Sequence, residues 1–305
     1  MTDPGMIPTA FTPDLAYRTY GDPHLPALIL LMGLATPSVA WPEAFIASLV
    51  QKGFFIVAPD NRDCGQSPAA VGDVSSRNLC FSIGRYILGG KVSAPYNLTD
   101  MADDTLRLMD RLGIYKAHVV GVSLGGMIAQ CLALKAQHRT ASLTCLSTAA
   151  GNPRTGLGKL RALKAILTPR TATTKEEARE NLRRTMAVIG TAGEVYDDAF
   201  LDHVLSVAAQ QPDPVAGGRR QLMALLAEGN RTMRLRQLFV PTLVIHGLAD
   251  PLIPVAAGKE IAAMVRQARF LGLPGMGHDL PKRYWETMAK AISQHCHSAA
   301  RLTRA

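Results

Sequence analysis

Several features that would place a protein in a class at once are missing from this chain. No uninterrupted apolar run among its 305 residues reaches the roughly 18 residues that a membrane span needs. Residues 1–20 carry scattered prolines and aspartates and lack the apolar core of a signal peptide. We therefore expect a cytoplasmic protein without a membrane partner.

Cysteine is also scarce. The five cysteines are an odd number without paired spacing, at Cys64, Cys80, Cys131, Cys145 and Cys296. Cys131 and Cys145 fall in a predicted helix and a predicted strand, which favours buried thiols in a reducing compartment. No Cys/His group has the spacing of a zinc site, and we interpret the His-Cys-His run at residues 295–297 as solvated. We expect neither a metal nor another cofactor.

Basic residues outnumber acidic ones, but their distribution is not that of a nucleic-acid-binding protein. The net charge is +9, and residues 151–190 hold nine Lys and Arg against three Glu. These cations alternate with Leu, Ala and Ile at helical spacing, which is typical of the solvated face of amphipathic helices. Aromatic residues, 6% of the chain, do not interleave with them to stack bases. We expect no nucleic-acid partner, and a modest preference for anionic substrates stays open.

The most informative motif that is present lies at residues 119–126, Val-Val-Gly-Val-Ser-Leu-Gly-Gly. An apolar strand pattern enters it and a helix-compatible segment, 127–135, leaves it. This is the context in which G-x-S-x-G becomes a nucleophile elbow, a sharp turn that exposes the hydroxyl of Ser123 at a helix N-terminus. Gly121 and Gly125 would avoid a collision across the turn. The alternative is an ordinary glycine-rich turn between a strand and a helix.

Two later segments favour the catalytic interpretation. Residues 241–246 form a strand pattern, and Asp250 lies just past its C-terminal end, where open α/β sheets place functional groups. Residues 269–273 form another strand pattern, followed by a loop that carries His278. The order serine, acid, histidine predicts that Ser123 attacks, His278 takes its proton and Asp250 orients the imidazole.

The rest of the chain alternates between predicted strands and helices in the manner of an α/β protein. Residues 68–97 are predicted to be irregular because they contain Gly84, Gly89-Gly90 and Pro95. Arg62 and Asp63 are predicted to form a structural hydrogen-bonding pair. Further strands are predicted at 15–20, 27–32, 54–58 and 142–147, and helices at 41–52, 98–112 (with Thr99 or Asp100 as the N-cap), 255–266 and 282–295. Residues 152–238 interrupt the alternation with a charged, helix-rich segment.

The chain resembles a serine esterase of the α/β-hydrolase superfamily and, more narrowly, the aclacinomycin methylesterase group. The resemblance excludes roughly residues 150–235 and is carried by 60–67, 101–104, 117–123 and 274–281. It implies a mostly parallel sheet with helices on both faces. It also implies a core at 1–150 and 239–305, a helical cap inserted at 151–238, and Ser123, Asp250 and His278 as the catalytic triad.

An oxyanion hole requires two backbone N–H donors. We expect one from Leu124, the residue after the nucleophile, and one from Leu34, with Gly33 allowing close approach of the backbone. Many relatives have His-Gly where this chain has Met32-Gly33, so the shape of this loop decides whether the donor is in place. We expect Gly33, Met127 and Met276 to contact substrate, with Leu34, Leu124 and Leu280 completing an apolar approach.

These features predict a serine hydrolase that cleaves a carboxylic ester of a hydrophobic small molecule through an acyl-enzyme. The resemblance implies a methyl or other small-alkyl ester. Hydrolysis of a lactone or a C–C bond, or perhydrolase chemistry, stays open as a use of the same triad. So does a ligand-binding protein that retains the fold without catalysis. A homodimer is left open as well.

Overall fold

A computed structural model describes residues 14–72, 74–168 and 172–302. Within them, seven strands form one sheet in the order β1-β3-β2-β4-β5-β6-β7. The strands are β1 (Tyr17–Tyr20), β2 (Ala27–Leu31), β3 (Phe55–Pro59), β4 (Ala117–Val122), β5 (Thr140–Leu146), β6 (Thr242–Gly247) and β7 (Arg269–Leu273). The helices are α1 (Glu43–Gln51), α2 (Ser76–Ile87), α3 (Leu98–Arg111), α4 (Leu124–Lys135), α5 (Pro153–Gly156), α6 (Leu160–Leu167), α7 (Lys175–Ile189), α8 (Asp198–Ala208), α9 (Pro214–Glu228), α10 (Thr232–Leu235), α11 (Val255–Met264) and α12 (Trp285–Leu302).

The sheet is parallel except at one edge, where β1 runs antiparallel to β3. Every residue of β2 is buried, because helices cover both faces of the sheet. Its side chains alternate between two cores: Ile29 and Leu31 pack with α3, α4 and α11, and Leu28 and Leu30 pack with α1 and α12. The prediction of an α/β fold with a mostly parallel sheet and helices on both faces is confirmed.

The prediction that residues 68–97 are irregular is wrong, because they contain helix α2. Ser75 caps this helix by accepting a hydrogen bond from the N–H of Asn78. Leu79 and Ile83, four residues apart, lie against the inserted helices. Gly84, which suggested a break, stands on the exposed side, where a glycine weakens a helix without ending it.

Two local predictions also need correction. The N-cap of α3 is Asn97 rather than Thr99 or Asp100, and Asp100 completes a capping box with it. The His-Cys-His run is not solvated as a whole, since α12 packs on the sheet and buries His295 and Cys296, leaving only His297 exposed. The expected burial of the Cys131 and Cys145 thiols is confirmed.

No helix among the described residues combines the length and the apolar character that crossing a membrane requires. The described part of the chain likewise holds no cluster of three or more His, Cys, Asp or Glu side chains arranged to bind a metal ion.

The described part of the segment between β5 and β6 folds into six helices, α5 to α10. Among them, α9 packs against α2 and α3 of the core, and α7 packs against both α6 and α8. This segment and α2 together lie over the carboxyl ends of the strands, and a cavity lies between them and the sheet.

Candidate active site

Ser123 occupies the turn between β4 and α4 in a strained backbone conformation. Its φ is +53° and its ψ is −120°, a combination that non-glycine residues rarely adopt. The turn is held by two hydrogen bonds: the N–H of Ser123 donates to the carbonyl of Leu146, and its carbonyl accepts from the Thr148 hydroxyl at 2.6 Å. The side chain is thereby fixed at the N-terminus of α4, as the elbow interpretation predicts.

The glycines of the motif are required by close packing. A Cβ on Gly121 would lie 2.2 Å from the carbonyl oxygen of Gly125, across the turn. A Cβ on Gly125 would lie 2.1 Å from the carbonyl oxygen of Leu31, and one on Gly126 would lie 2.7 Å from the side chain of Thr148. Helix α4 therefore approaches β2 and the end of β5 more closely than any larger residue allows.

We expect Gly125→Ala to lower the free energy of unfolding by about 3 kcal/mol, because overpacking against rigid backbone cannot be relieved by a rotamer change. Denaturant unfolding followed by circular dichroism would measure it. Gly84→Ala is the matched control, because a Cβ there meets nothing within 4 Å. It should stabilise the helix by roughly 0.5–1 kcal/mol. A Gly125→Ala protein as stable as the parent would contradict the close packing of the elbow.

The structure brings the three predicted side chains into one hydrogen-bonded chain. His278 Nε2 lies 2.9 Å from Ser123 Oγ, and His278 Nδ1 lies 2.8 Å from Asp250 Oδ2. The Asp250 carboxylate is fully buried and the imidazole is nearly so, so the bond between these two side chains is shielded from water. With the Asp250 carboxylate facing Nδ1, the proton of a neutral imidazole resides on that atom and Nε2 is free to accept the serine proton.

Backbone donors fix the carboxylate of Asp250. Its Oδ1 accepts hydrogen bonds from the N–H groups of Leu252 and Ile253, both at 2.9 Å. His246 lies behind it, with Nε2 at 3.7 Å from Oδ2 and 2.9 Å from the carbonyl oxygen of Ile253. Burial lowers the pKa of His246, so this second imidazole is held neutral. The sequence pattern showed His246 only as the end of a strand.

The loop that carries His278 is anchored by the inserted segment. The His278 N–H donates to the carbonyl of Ile189 at 2.7 Å, and the Gly277 N–H donates to the Thr191 hydroxyl at 2.9 Å. Asp279 accepts from the N–H and hydroxyl of Thr191 and from the hydroxyl of Tyr196. Burial and the adjacent carboxylate raise the pKa of Tyr196, which keeps its hydroxyl a donor. Sequence reasoning missed these contacts, because the partners lie more than eighty positions apart.

The two predicted oxyanion donors flank the serine. Leu124 is the first residue of α4, so its N–H has no acceptor within the helix. Among the described residues, the N–H of Leu34 also has no hydrogen-bond acceptor. Gly33 lies directly over the serine, since a Cβ built on it would be 3.4 Å from Ser123 Cβ. The loop after β2 thus brings backbone close to the serine, and the role of Leu34 as an oxyanion donor stays a prediction.

A cavity of about 1980 Å³ opens above the serine. Most of its wall is apolar, and the wall includes the predicted contacts Gly33, Leu34, Leu124, Met127 and Leu280 as well as Ser123 and His278. Residues of α2, α6, α7, α8 and α9 contribute almost half of the remainder.

The structure corrects the prediction that Met276 contacts substrate. Its side chain is fully buried in the core between the sheet and α12, and it does not belong to the wall of the cavity. The backbone explains this placement: the carbonyl of Met276 accepts from the N–H of Ala249, and its N–H donates to the carbonyl of Leu273. In this loop His278, rather than Met276, faces the serine.

Arg62 and Asp63 are structural, but the prediction that they pair with each other is wrong. Arg62 forms a buried bidentate ion pair with Asp104, and Asp63 forms one with Arg220 of α9. Asp63 also accepts a hydrogen bond from the hydroxyl of Tyr96. Each residue therefore ties the loop after β3 to a different helix.

An elbow serine after β4, an acid after β6 and a histidine after β7 define a class of protein, and that class is the one that known proteins similar to this chain belong to. A model of the α/β-hydrolase fold matches residues 26–281, and the chain belongs to that family. The fold and the family resemblance predicted from the sequence are confirmed.

Individual proteins of known function or known structure are similar to this chain. The chain is 27% identical to the rhodomycin D methylesterase DnrP of Streptomyces peucetius, over 92% of this chain and 93% of the relative. It is also 27% identical to 3-oxoadipate enol-lactonase 2 of Acinetobacter baylyi, over 80% of this chain and 79% of the relative. The structure of 2-hydroxy-6-oxo-6-phenylhexa-2,4-dienoate hydrolase from Rhodococcus sp. strain RHA1 superposes with a TM-score of 0.70 at 20% identity, covering 93% and 95% of the two chains. That last likeness concerns the fold alone.

Proposed function

We propose that this protein is a serine esterase that hydrolyses a methyl or other small-alkyl ester of a large hydrophobic molecule. The observation that carries the proposal is the chain of hydrogen bonds from Ser123 through His278 to Asp250, at the base of a large apolar cavity. The similarity to a rhodomycin D methylesterase supports the ester and the small alcohol.

The proposed reaction begins when Ser123 Oγ attacks the ester carbonyl carbon and gives its proton to His278 Nε2. The negative charge that develops on the carbonyl oxygen is received by the N–H groups of Leu34 and Leu124. The C–O bond to the alcohol then breaks, and the alcohol leaves with the proton that His278 holds. Water attacks the acyl-enzyme with His278 as base, which releases the acid and restores Ser123.

The size of the cavity supports a bulky acyl part. Pockets for drug-sized ligands occupy roughly 300–1,000 Å³, and this one reaches about 1980 Å³. We propose that residues 151–238 act as a cap on the core formed by 1–150 and 239–305, because α6 to α9 supply much of the wall while the serine and its partners lie outside them. Such a cap selects the acyl group and excludes water from the site.

A second candidate, hydrolysis of a lactone, is favoured by the similarity to a 3-oxoadipate enol-lactonase. It requires the same serine, the same oxyanion donors and the same acyl-enzyme, with the leaving alcohol still attached to the acyl chain. C–C bond hydrolysis, perhydrolase chemistry and binding without turnover stay open as outcomes of the test.

The test uses a fluorophosphonate probe and a panel of esters on the purified protein. We expect the probe to label Ser123 and short p-nitrophenyl esters to be hydrolysed. Among methyl, aryl and lactone esters of graded bulk, the largest kcat/KM should fall on a methyl ester of a bulky polycyclic acid. Labelling without turnover of any ester would leave a ligand-binding protein, and a preference for lactones would favour the second candidate.

Filling the cavity from the inserted segment should change the preference among esters. Leu182 of α7 lines the cavity. We expect Leu182→Trp to lower kcat/KM for a bulky methyl ester by about tenfold or more, while p-nitrophenyl acetate still reacts at close to the parental rate. The reason is that the indole occupies acyl space without touching the reacting groups.

Ala187→Trp is the matched control, because it places the same side chain on an exposed position of the same helix. Steady-state kinetics with both esters would separate the two variants. If Leu182→Trp left the preference unchanged, the segment would not select the acyl group. Helix α2, whose Leu79 and Ile83 also line the cavity, would then be the better candidate.

We further propose that the protein works in the cytosol on a small molecule, without nucleic acid, and that a homodimer is compatible with this activity. Four of the five cysteines are buried free thiols, which supports a reducing compartment.

A further inference from the structure

The loop that would supply the Leu34 oxyanion donor has an uncommon shape. It follows β2 and crosses over the serine at Gly33. Two residues further on, Ala35 adopts a φ of +49°, in the left-handed region that a non-glycine residue enters only when its surroundings require it. The Leu34 N–H lies one peptide group earlier, in the plane shared with Gly33, so it is linked to the conformation of Ala35 through the φ and ψ torsions of Leu34.

A glutamine from the inserted segment holds this loop. Gln221 of α9 is fully buried, and its Oε1 accepts a hydrogen bond from the N–H of Ala35 at 2.8 Å. Its Nε2 donates to the carbonyl of Arg62 at 2.7 Å. Both ends of the amide are therefore engaged with backbone of the core, which determines how the side chain is oriented.

Neighbouring residues of α9 fix the position of the glutamine itself. A Cβ on Gly217 would lie 2.6 Å from the carbonyl oxygen of Asp63, so the helix is in close contact with the loop after β3. A Cβ on Gly218 would lie 3.4 Å from Ala35 Cβ. Arg220 pairs with Asp63 through two hydrogen bonds, of 2.7 and 3.0 Å. Helix α9 is thus in close contact with the loop after β2 and the loop after β3 at the point where Gln221 bonds to Ala35.

Three other bonds hold carbonyl groups of the same loop. Asn61 holds the carbonyl of Met32, and the Thr36 hydroxyl and N–H hold the carbonyls of Leu34 and Gly33. These contacts act on carbonyl groups of the loop. The Leu34 carbonyl and the Ala35 N–H belong to one peptide group, so the Thr36 hydroxyl and Gln221 hold that group at its two ends, and Gln221 is the contact that comes from α9. Fixing this group constrains the ψ torsion of Leu34, whose N–H lies in the preceding peptide group.

We propose that Gln221 is a positioning residue for the oxyanion hole: by accepting from Ala35 N–H, it holds the loop so that Leu34 N–H faces the oxyanion. The inference rests on the proposed function, and it makes the inserted segment a part of the catalytic machinery as well as a wall of the cavity.

The test compares Gln221→Leu and Gln221→Asn with Gln211→Leu. Leucine removes the acceptor, and asparagine keeps an amide that is one methylene too short to reach both partners. Gln211 is a matched control: it is a buried glutamine of the same segment that donates to the core carbonyls of Gly65 and Ser67, away from the oxyanion loop. Two rates are measured per titrated active site: kcat for p-nitrophenyl acetate, and the rate of fluorophosphonate labelling of Ser123, whose phosphonyl oxygen occupies the oxyanion hole.

We expect both rates to fall roughly 10- to 100-fold in the Gln221 variants, with KM and the pH profile unchanged, since an ångström-scale misplacement costs about that much. Gln211→Leu should stay within about threefold of the parent on both rates. A purely structural role would lower the melting temperature and the number of titratable sites while leaving the rate per site unchanged. That result in either Gln221 variant, whichever one folds, would overturn the proposal.

The labelling rate keeps this inference separate from the proposed function. If the parent is labelled but hydrolyses no ester, the proposed function fails and the labelling rates of the variants still decide the role of Gln221. If the parent is not labelled at all, there is no working oxyanion hole for Gln221 to position, and both proposals fall.

Discussion

Ser123→Ala should yield a folded protein that no longer turns over esters. The substitution removes one hydroxyl, which is bonded to His278 Nε2 and which we propose serves catalysis rather than packing. Without the nucleophile and its base acting together, only substrate binding and the oxyanion donors still accelerate the reaction, so we expect kcat to fall by about 10⁴ or more. Residual turnover of p-nitrophenyl acetate, measured against a blank, gives the size of the loss.

The matched control is Ser142→Ala. Ser142 is also a buried serine whose hydroxyl lies 2.8 Å from a histidine nitrogen, that of His118, but this pair lies in the core and does not line the cavity. Its loss should affect stability and leave the rate per site close to that of the parent. Substantial activity in purified Ser123→Ala, together with continued fluorophosphonate labelling, would end the elbow hypothesis.

The elbow was predictable because its signal is local. Gly121, Ser123 and Gly125 fall within five positions, and the sharp turn they form needs small residues at two of them. Asp250 and His278 were predictable for a related reason, since each follows an apolar strand pattern and parallel strands end at the same edge of the sheet.

Contacts between distant segments could not be predicted in this way. Gln221 and Ala35 are 186 positions apart, and no periodicity in either segment indicates that they meet. Arg62 and Asp63 were expected to pair because they are adjacent. Instead each is bonded to a helix that the fold brings beside it, at Asp104 and at Arg220. The tertiary fold determines which polar side chains become partners in the interior, and a single sequence does not reveal that fold in such detail.

The predictions for Met276 and for residues 68–97 were also wrong because tertiary contacts decide both structures. Met276 was expected to contact substrate as part of an apolar approach to the serine, but the backbone bonds of its loop turn it into the core. Helix α2 was missed because Gly84 and the following glycines suggested a loop. Its helical state depends on Leu79 and Ile83 packing against the inserted helices, which residue propensities do not record.

Asp250→Asn should lose nearly as much activity as Ser123→Ala, for a reason that the hydrogen bonds of Asp250 make specific. The N–H groups of Leu252 and Ile253 both need an acceptor, so the single oxygen of an asparagine will take the place of Oδ1. Its NH₂ group then faces His278 Nδ1, which must become an acceptor. The proton of the neutral imidazole moves to Nε2, and Nε2 can no longer take the proton of Ser123.

We therefore expect a loss of roughly 10³–10⁴ in kcat with the fold retained. Thermal unfolding would check the fold, and kcat at neutral pH would check the rate.

His278→Gln should be as damaging as Ser123→Ala. Combining it with Asp250→Asn should add little further loss, because the acid acts only through the imidazole. A near-normal rate in Asp250→Asn would mean that another carboxylate orients His278. Strict additivity in the double variant would mean that Asp250 has a task of its own in the reaction.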